Sequence, residues 1–131
     1  MIDTLLSVVA GAIIGYVGSI AYYWWVQGSE KKELKSRIRE ELELIREEAS
    51  SDLKEELFQK RAYAMYVFQG LRTDLIRKLD AKTFRLVQKT YAKIDHLRFP
   101  PTGPYALDEN KKNYGDVLYA IDETLRFLKN Q

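Results

Sequence analysis

The sequence predicts an all-α protein with a single N-terminal transmembrane helix, an amphipathic stalk helix and a small bundle of three or four helices. Three observations predict this fold class. Residues 2–26 carry one charged side chain, Asp3, and are otherwise almost wholly apolar, the next segment is highly charged with an apolar residue every three or four positions, and two later segments repeat that helical spacing. We therefore expect a transmembrane anchor at residues 1–27, a stalk at 28–56 and a helical bundle at 57–131.

The apolar segment from Ile2 to Val26 is long enough to cross a bilayer. At about 1.5 Å of rise per residue it exceeds the roughly 30 Å of a hydrocarbon core. Within it, small residues recur at every fourth position: Ser7, Gly11, Gly15 and Ser19. Small side chains at this spacing let two helices approach closely, although glycine is also common in spans generally. This small-residue row predicts a helix-packing face without saying whether its partner is a second copy or another protein.

Four aromatic residues end the apolar segment: Tyr22, Tyr23, Trp24 and Trp25. Successive residues of a helix are rotated by about 100°, so four in a row encircle it. Such a ring suits the headgroup level, where ring faces meet hydrocarbon and polar tips meet water. We expect these residues to be membrane-interface anchors.

The distribution of basic residues predicts the orientation of the span. All 21 Lys and Arg residues follow residue 30, and Lys31 and Lys32 come directly after the span. The positive-inside rule then places the C-terminal part in the cytoplasm and the N-terminus outside the cell membrane. A cleaved signal peptide is the alternative, but it requires a basic start, a shorter apolar core and small residues at its end.

The stalk has apolar residues with steps of four, four, three, four, four and four: Leu34, Ile38, Leu42, Ile45, Ala49, Leu53 and Leu57. This approaches an eleven-residue pattern, which favours a nearly straight or slightly right-handed pair of helices. We favour one helix from about Glu30 to about Gln69, after a brief interruption at residues 27–29. The alternative is a new helix capped by Asp52, with Glu55 three residues later.

In outline, a single N-terminal span followed by a charged helix of eleven-residue period resembles the peripheral-stalk b subunits of ATP synthases. The resemblance covers Ile2 to about Leu57 and rests on organisation. The chain departs from that pattern because it continues into a compact bundle. The function of those subunits is therefore not carried over.

Residues 57–131 contain two well-marked helices. Asp80 is placed to cap a helix over residues 81–98, and Asp108 to cap another through about Lys129. Three prolines predict a loop over residues 99–104. A shorter helix over residues 73–79 completes the bundle. The predicted core residues are Phe84, Val87, Tyr91, Ile94, Leu97, Tyr114, Val117 or Leu118, Ile121, Leu125 and Leu128.

The common signatures of catalytic and cofactor sites are missing from the sequence. It has no cysteine, and His96 is its single histidine. Walker A, dinucleotide-binding and zinc-protease motifs are missing too. The glutamate pairs 40–41, 47–48 and 55–56 read as parts of a solvated helix face. We therefore expect a protein that is not an enzyme, with no catalytic residues, metal or cofactor.

The most suggestive soluble feature is basic. Residues 61–99 contain nine Lys or Arg against three Asp, and five of these bases form a stripe predicted to lie on one helix face, with steps of four, three, four and four: Lys78, Lys82, Arg85, Lys89 and Lys93. This basic stripe is suited to anionic lipid headgroups or an acidic protein. Nucleic acid is a weaker candidate, because no base-reading motif accompanies the charge. A simple solvated face is the alternative.

Two functions fit these features. The first is a single-pass scaffold or accessory subunit that acts through protein contacts, with the lipid surface as a further candidate partner, either as a homo-oligomer or with a membrane-protein partner. The second is a membrane-active effector, such as a holin-like or pore-forming oligomer. The span offers no polar face beyond Ser7 and Ser19, which disfavours a water-lined pore.

Overall fold

The computed structural model describes residues 2–58 and 63–130, and within them the chain forms five α-helices and no strand. The helices are α1 (Ile2–Lys54), α2 (Tyr66–Gly70), α3 (Arg72–Lys78), α4 (Ala81–His96) and α5 (Ala106–Lys129). This confirms the all-α prediction. The chain divides into two compact units, Met1–Glu33 and Leu34–Gln131. Part of the expected Glu30–Gln69 helix, residues 59–62, lies outside the described residues.

The N-terminal unit is a single helical segment with no core of its own. Every side chain from residue 2 to residue 25 is exposed, and this part of α1 is long and apolar enough to cross a membrane. The interruption expected at residues 27–29 is wrong, since α1 runs through Gly28 without a break. One glycine costs a helix only about 1 kcal/mol relative to alanine, and the long helical runs on either side outweigh that cost.

The second unit contains the hydrophobic core, and α1 contributes one side of it. Five stalk residues are buried there: Leu34, Ile38, Leu42, Ile45 and Ala49. They form one cluster with apolar residues of α4 and α5. The face that the eleven-residue pattern marked is therefore covered by helices of the same chain.

Helix α1 ends at Lys54, so the prediction of one helix reaching Gln69 is wrong. The end is a Schellman motif: the Leu57 N–H donates to the Asp52 carbonyl at 2.8 Å, and the Glu56 N–H donates to the Leu53 carbonyl at 3.2 Å. Glu56 takes the left-handed conformation, φ 55°, where glycine is usual. Because no glycine or proline marks this end, the sequence carried no stop signal there.

The other helices agree closely with the sequence. Helix α4 begins after Asp80, which takes the N-cap position and accepts a hydrogen bond from the Thr83 hydroxyl at 2.5 Å. Helix α5 begins two residues before the expected cap at Asp108, with Tyr105 in the N-cap position. The loop over residues 99–104 is confirmed. Most predicted core residues are buried, while Phe84, Leu118 and Leu125 are partly buried against the core.

Ion pairs show the directions in which the helices of the second unit run relative to one another. Arg46 contacts Asp122 at 3.0 Å, and Lys111 contacts Glu56 at 3.1 Å. Rising residue numbers in α1 thus meet falling numbers in α5, so these two helices are antiparallel. Helix α4 precedes α5 through a short loop and runs parallel to α1. The turn between α3 and α4 and the C-terminal end of α5 therefore lie at the same end of the unit.

Candidate functional site

The small-residue row lies on the exposed surface of α1. A methyl group added at Gly11 or at Gly15 would meet nothing within 4 Å in this chain. The Ser19 hydroxyl donates to the Gly15 carbonyl at 2.9 Å, so it is satisfied within the helix. The row is thus free of contacts at both glycines, and larger residues there would not disturb the fold of the chain.

The aromatic residues Tyr22, Tyr23, Trp24 and Trp25 are all exposed, by 61% to 73%. The rings of Tyr22 and Trp25 lie on one side of the helix with centroids 6.1 Å apart. The other two rings project elsewhere around the helix, because adjacent residues are rotated by about 100°. This is the encircling arrangement that the sequence predicted.

The basic stripe is divided between two helices. Lys82, Arg85, Lys89 and Lys93 lie on α4 with steps of three, four and four, and so share a face. Lys78 is instead the last residue of α3. The prediction of five bases on one helix face is therefore wrong for Lys78, because the turn at residues 79–80 separates it from α4.

The four α4 bases have different surroundings. Lys82 places its ammonium 5.6 Å from the centre of the Phe127 ring on α5. Lys93 is half-buried and lines an open cleft of about 310 Å³ with His96 and Asp116. Arg85 and Lys89 are exposed. The stripe is therefore solvated in its middle and packed against neighbours at its two ends.

A buried carboxylate at Glu41 joins three helices. It accepts hydrogen bonds from the Tyr91 hydroxyl of α4 at 2.7 Å and from the Val67 N–H at the start of α2 at 2.7 Å. The Phe68 N–H also donates to Glu41, at 3.3 Å to the same Oε1 atom that accepts from Tyr91, and the Phe68 ring stacks on Tyr91 with centroids 4.3 Å apart. The interpretation of the 40–41 pair as solvated is wrong for Glu41, which is only 8% exposed.

A second buried carboxylate, Asp52, lies near the end of α1. It accepts a hydrogen bond from the Tyr63 hydroxyl at 2.5 Å, and the Tyr114 hydroxyl of α5 lies 3.4 Å from the same Tyr63 oxygen. Asp52 is therefore not the cap of a new helix, as the alternative interpretation had it. Its carboxylate holds the segment after α1 against the bundle.

Burial raises the pKa of both tyrosines that serve these carboxylates. For Tyr91 the main cause is loss of water, followed by the hydrogen bond to Glu41. For Tyr63 it is again burial, followed by the hydrogen bond to Asp52. Since each tyrosinate would lie beside a carboxylate, both hydroxyls stay protonated in the folded protein and act as hydrogen-bond donors.

Two threonine hydroxyls meet in the core between α4 and α5. The Thr90 and Thr124 oxygens are 2.6 Å apart, and each also lies 2.9 Å from the carbonyl four residues earlier in its own helix. The two hydroxyls share two protons among three contacts, so one donates across the interface while the other donates to its own helix. Every buried side-chain nitrogen or oxygen in the described part of the chain has a partner. The two threonine hydroxyls therefore join α4 to α5 within the core.

No group of three or more potential metal ligands occurs among residues 2–58 and 63–130. His96 is exposed in the last turn of α4. The surface of the bundle also carries apolar side chains, including Leu44 and Tyr66, which are 63% and 78% exposed and line a shallow groove of about 250 Å³.

We did not predict from the sequence that Glu41 and Asp52 are buried, although their spacing from the apolar residues of α1 indicates it. Glu41 lies three residues after Ile38 and four before Ile45, and Asp52 lies three after Ala49. These intervals place both acids on the apolar face of α1. The helical period therefore indicates that both residues are buried, whereas their charge alone favours the solvent.

The chain matches no protein-family model, no curated protein and no solved structure.

We predict that Tyr91→Phe changes the alkaline stability of the bundle. Below the ordinary tyrosine pKa of 10.0, the wild type is more stable by about 1.5–3 kcal/mol, since its hydroxyl bonds a charged group. Above that pH, the unfolded tyrosine ionises while the buried one stays protonated. The wild type then loses about 1.4 kcal/mol of its advantage per pH unit.

Chemical denaturation of the full chain in detergent at several pH values measures this difference. Tyr105→Phe is the control, because Tyr105 is 72% exposed. A gap between wild type and Tyr91→Phe that stays constant from pH 9 to pH 12 contradicts the prediction.

Proposed function

We propose that this chain is a single-pass, membrane-anchored helical scaffold or accessory subunit that acts through protein contacts rather than catalysis. The observation that carries the proposal is the exposure of residues 2–25 next to a separately packed bundle. Fourteen large apolar side chains in this segment are 40% to 74% exposed. At about 1.5 kcal/mol for each, roughly 20 kcal/mol favours moving them out of water, which exceeds the stability of most domains.

The orientation in this proposal follows from charge. Residues 1–30 contain no Lys or Arg, whereas Lys31, Lys32 and Lys35 lie within about three turns after the aromatic residues. The bundle is therefore proposed to lie in the cytoplasm, with the N-terminus across the cell membrane. The exposed side chains of Leu44 and Tyr66 support a role in protein contact, since scaffolds offer such surfaces to partners.

The partner within the membrane is proposed to contact the small-residue row, either as a second copy of this chain or as another protein. A test compares chemical crosslinking in native membranes for the wild type and for Gly11→Leu with Gly15→Leu. The glycines touch nothing in the chain itself, so a loss of crosslinking reports lost association. We expect the crosslinked species to fall at least about tenfold, as a loss of 1.4 kcal/mol in packing would cause.

The matched control is Ile13→Leu with Val17→Leu, which has the same spacing on another face of α1. Crosslinking that survives the glycine substitutions unchanged contradicts the packing role of the row. Leakage of vesicles that depends on Gly11 and Gly15 would instead favour the membrane-active oligomer. Capture of a single second protein, lost only in the glycine variant, supports the accessory-subunit function.

A further inference from the structure

One end of the second unit collects basic side chains from four helices. Here α3 ends, α4 begins and α5 ends, and α1 contributes a residue from its first turn within the unit. The bases at this end, which we call the basic end, are Lys35, Arg77, Lys78, Lys82, Arg126 and Lys129. The acids in or beside these turns are Asp80 and Glu33, which lies two residues before Lys35 in α1. The basic end therefore has a strong local excess of positive charge.

Contacts within the unit bring these turns together. The charge of Lys35 acts on the Asp80 carboxyl, whose pKa lies below its usual range mainly because of the Thr83 hydrogen bond. Lys82, two residues after Asp80, reaches the Phe127 ring in the last turn of α5. Lys35, the α3–α4 turn and the end of α5 thus form one continuous surface.

Among residues 2–58 and 63–130, the opposite end of the unit has a balanced charge. There Lys111 pairs with Glu56 at 3.1 Å, and Arg98 pairs with Asp95 at 3.3 Å. Helix α5 begins with two acids, Asp108 and Glu109. The unit is consequently polarised along its length, with its positive pole where α1 enters it.

Helix dipoles do not account for this polarity. Bases in the last turns of α3 and α5 complement the negative ends of those helices. Lys82, however, lies in the first turn of α4, where a cation is unfavourable. Its side chain reaches the Phe127 ring at 5.6 Å, so this base joins the first turn of α4 to the last turn of α5 and adds to the positive charge of the basic end.

We propose that the basic end binds the anionic headgroups of the same bilayer that holds residues 2–26. This inference rests on the membrane anchor in the proposed function. Eight residues of α1 form the tether from Val26 to Leu34, which rises about 12 Å as a helix at about 1.5 Å per residue. The basic end lies where the chain leaves this tether, and each base near an anionic surface adds favourable electrostatic energy.

The experiment uses the cysteine-free full chain, reconstituted in vesicles of neutral phosphatidylcholine or of phosphatidylcholine mixed with anionic phosphatidylglycerol. One fluorophore is attached through Asn130→Cys at the basic end. In a second sample it is attached through Thr102→Cys in the loop at the opposite end. Energy transfer to a headgroup dye reports proximity to the membrane. We expect anionic lipid to increase transfer at position 130 more than at position 102, and added salt to reverse the increase.

Two matched variants test the residues themselves. Arg77→Gln, Lys82→Gln and Lys129→Gln together should reduce the ratio of docked to undocked bundle roughly 100-fold, at about fivefold per base. The control removes three bases at the opposite end: Lys54→Gln, Arg98→Gln and Lys112→Gln. Equal losses in the two variants, or no dependence on anionic lipid in the wild type, would overturn the proposal.

Alkaline extraction of the same vesicles separates this proposal from the one on which it rests. If the wild type is released from vesicles of either composition, the membrane anchor fails. If the chain stays inserted but position 130 shows no response to anionic lipid, the anchor stands and docking of the basic end is wrong. Circular dichroism of the variants shows whether the bundle remains folded in each case.

Discussion

Replacing Glu41 with alanine is expected to destabilise the bundle by about 3 to 5 kcal/mol. The carboxylate accepts hydrogen bonds from the buried Tyr91 hydroxyl and from the part-buried N–H groups of Val67 and Phe68, so its removal takes the acceptor from three donors. It also removes the link between α1, α4 and the start of α2. For a domain of this size the loss corresponds to a fall of roughly 15 °C or more in the melting temperature.

The adjacent residue supplies the control. Glu40 has the same chemistry but is exposed, so Glu40→Ala should change stability by less than about 0.5 kcal/mol. Glu41→Gln keeps the shape and one acceptor oxygen, and we expect an intermediate loss. Thermal melts of the full chain in detergent, followed by circular dichroism at 222 nm, measure all three. Equal melting temperatures for Glu40→Ala and Glu41→Ala would show that the Glu41 network does not stabilise the fold.

The helices after residue 80 could be predicted closely because local chemistry marks their ends. Asp80 supplies a cap, the prolines of residues 99–104 exclude a helix, and the apolar periods of α4 and α5 are regular. The end of α1 could not be predicted in this way. Its Schellman motif has Glu56 in the left-handed position that glycine usually takes, so no local residue type indicates that the helix ends there.

The partner of an apolar helix face also could not be read from its period. The stalk spacing is compatible with pairing to a second chain, yet Ile38, Leu42 and Ile45 pack against helices of their own chain. The spacing of apolar residues indicates that one face of a helix is buried. Which helix covers that face depends on the tertiary structure. The small-residue row differs, because the chain itself leaves Gly11 and Gly15 uncovered.

The surroundings of the charged residues also could not be predicted from charge and spacing alone. The charge of Glu41 favours a position in water, and this gave the prediction that it is solvated. Glu41 instead lies on the apolar face of α1 and is buried. The basic stripe was assigned by spacing alone, and the turn after Lys78 broke it. The cluster at the basic end depends on chain segments distant in sequence, so only the packed bundle reveals it.

A bilayer around the anchor is expected to protect its side chains from reagents in water. Cysteines placed singly at Val9, Ile13 or Val17 should react with maleimide at least roughly tenfold more slowly than one at Thr102, because hydrocarbon suppresses the reactive thiolate. Adding two aspartates to the Val17→Cys chain, at Val9 and Ile13, costs about 5–7 kcal/mol of insertion. That pair should therefore expose the cysteine to labelling. Leucines at the same two positions are the control.

The rate of maleimide labelling at single cysteines along the otherwise unchanged span, in intact membranes and again in sodium dodecyl sulfate, tests directly whether residues 2–26 lie in a bilayer. We predict protection at Val9, Ile13 and Val17 that disappears on solubilisation, with Thr102 reactive throughout. Labelling at the three span positions as fast as at Thr102 in intact membranes would contradict the membrane anchor.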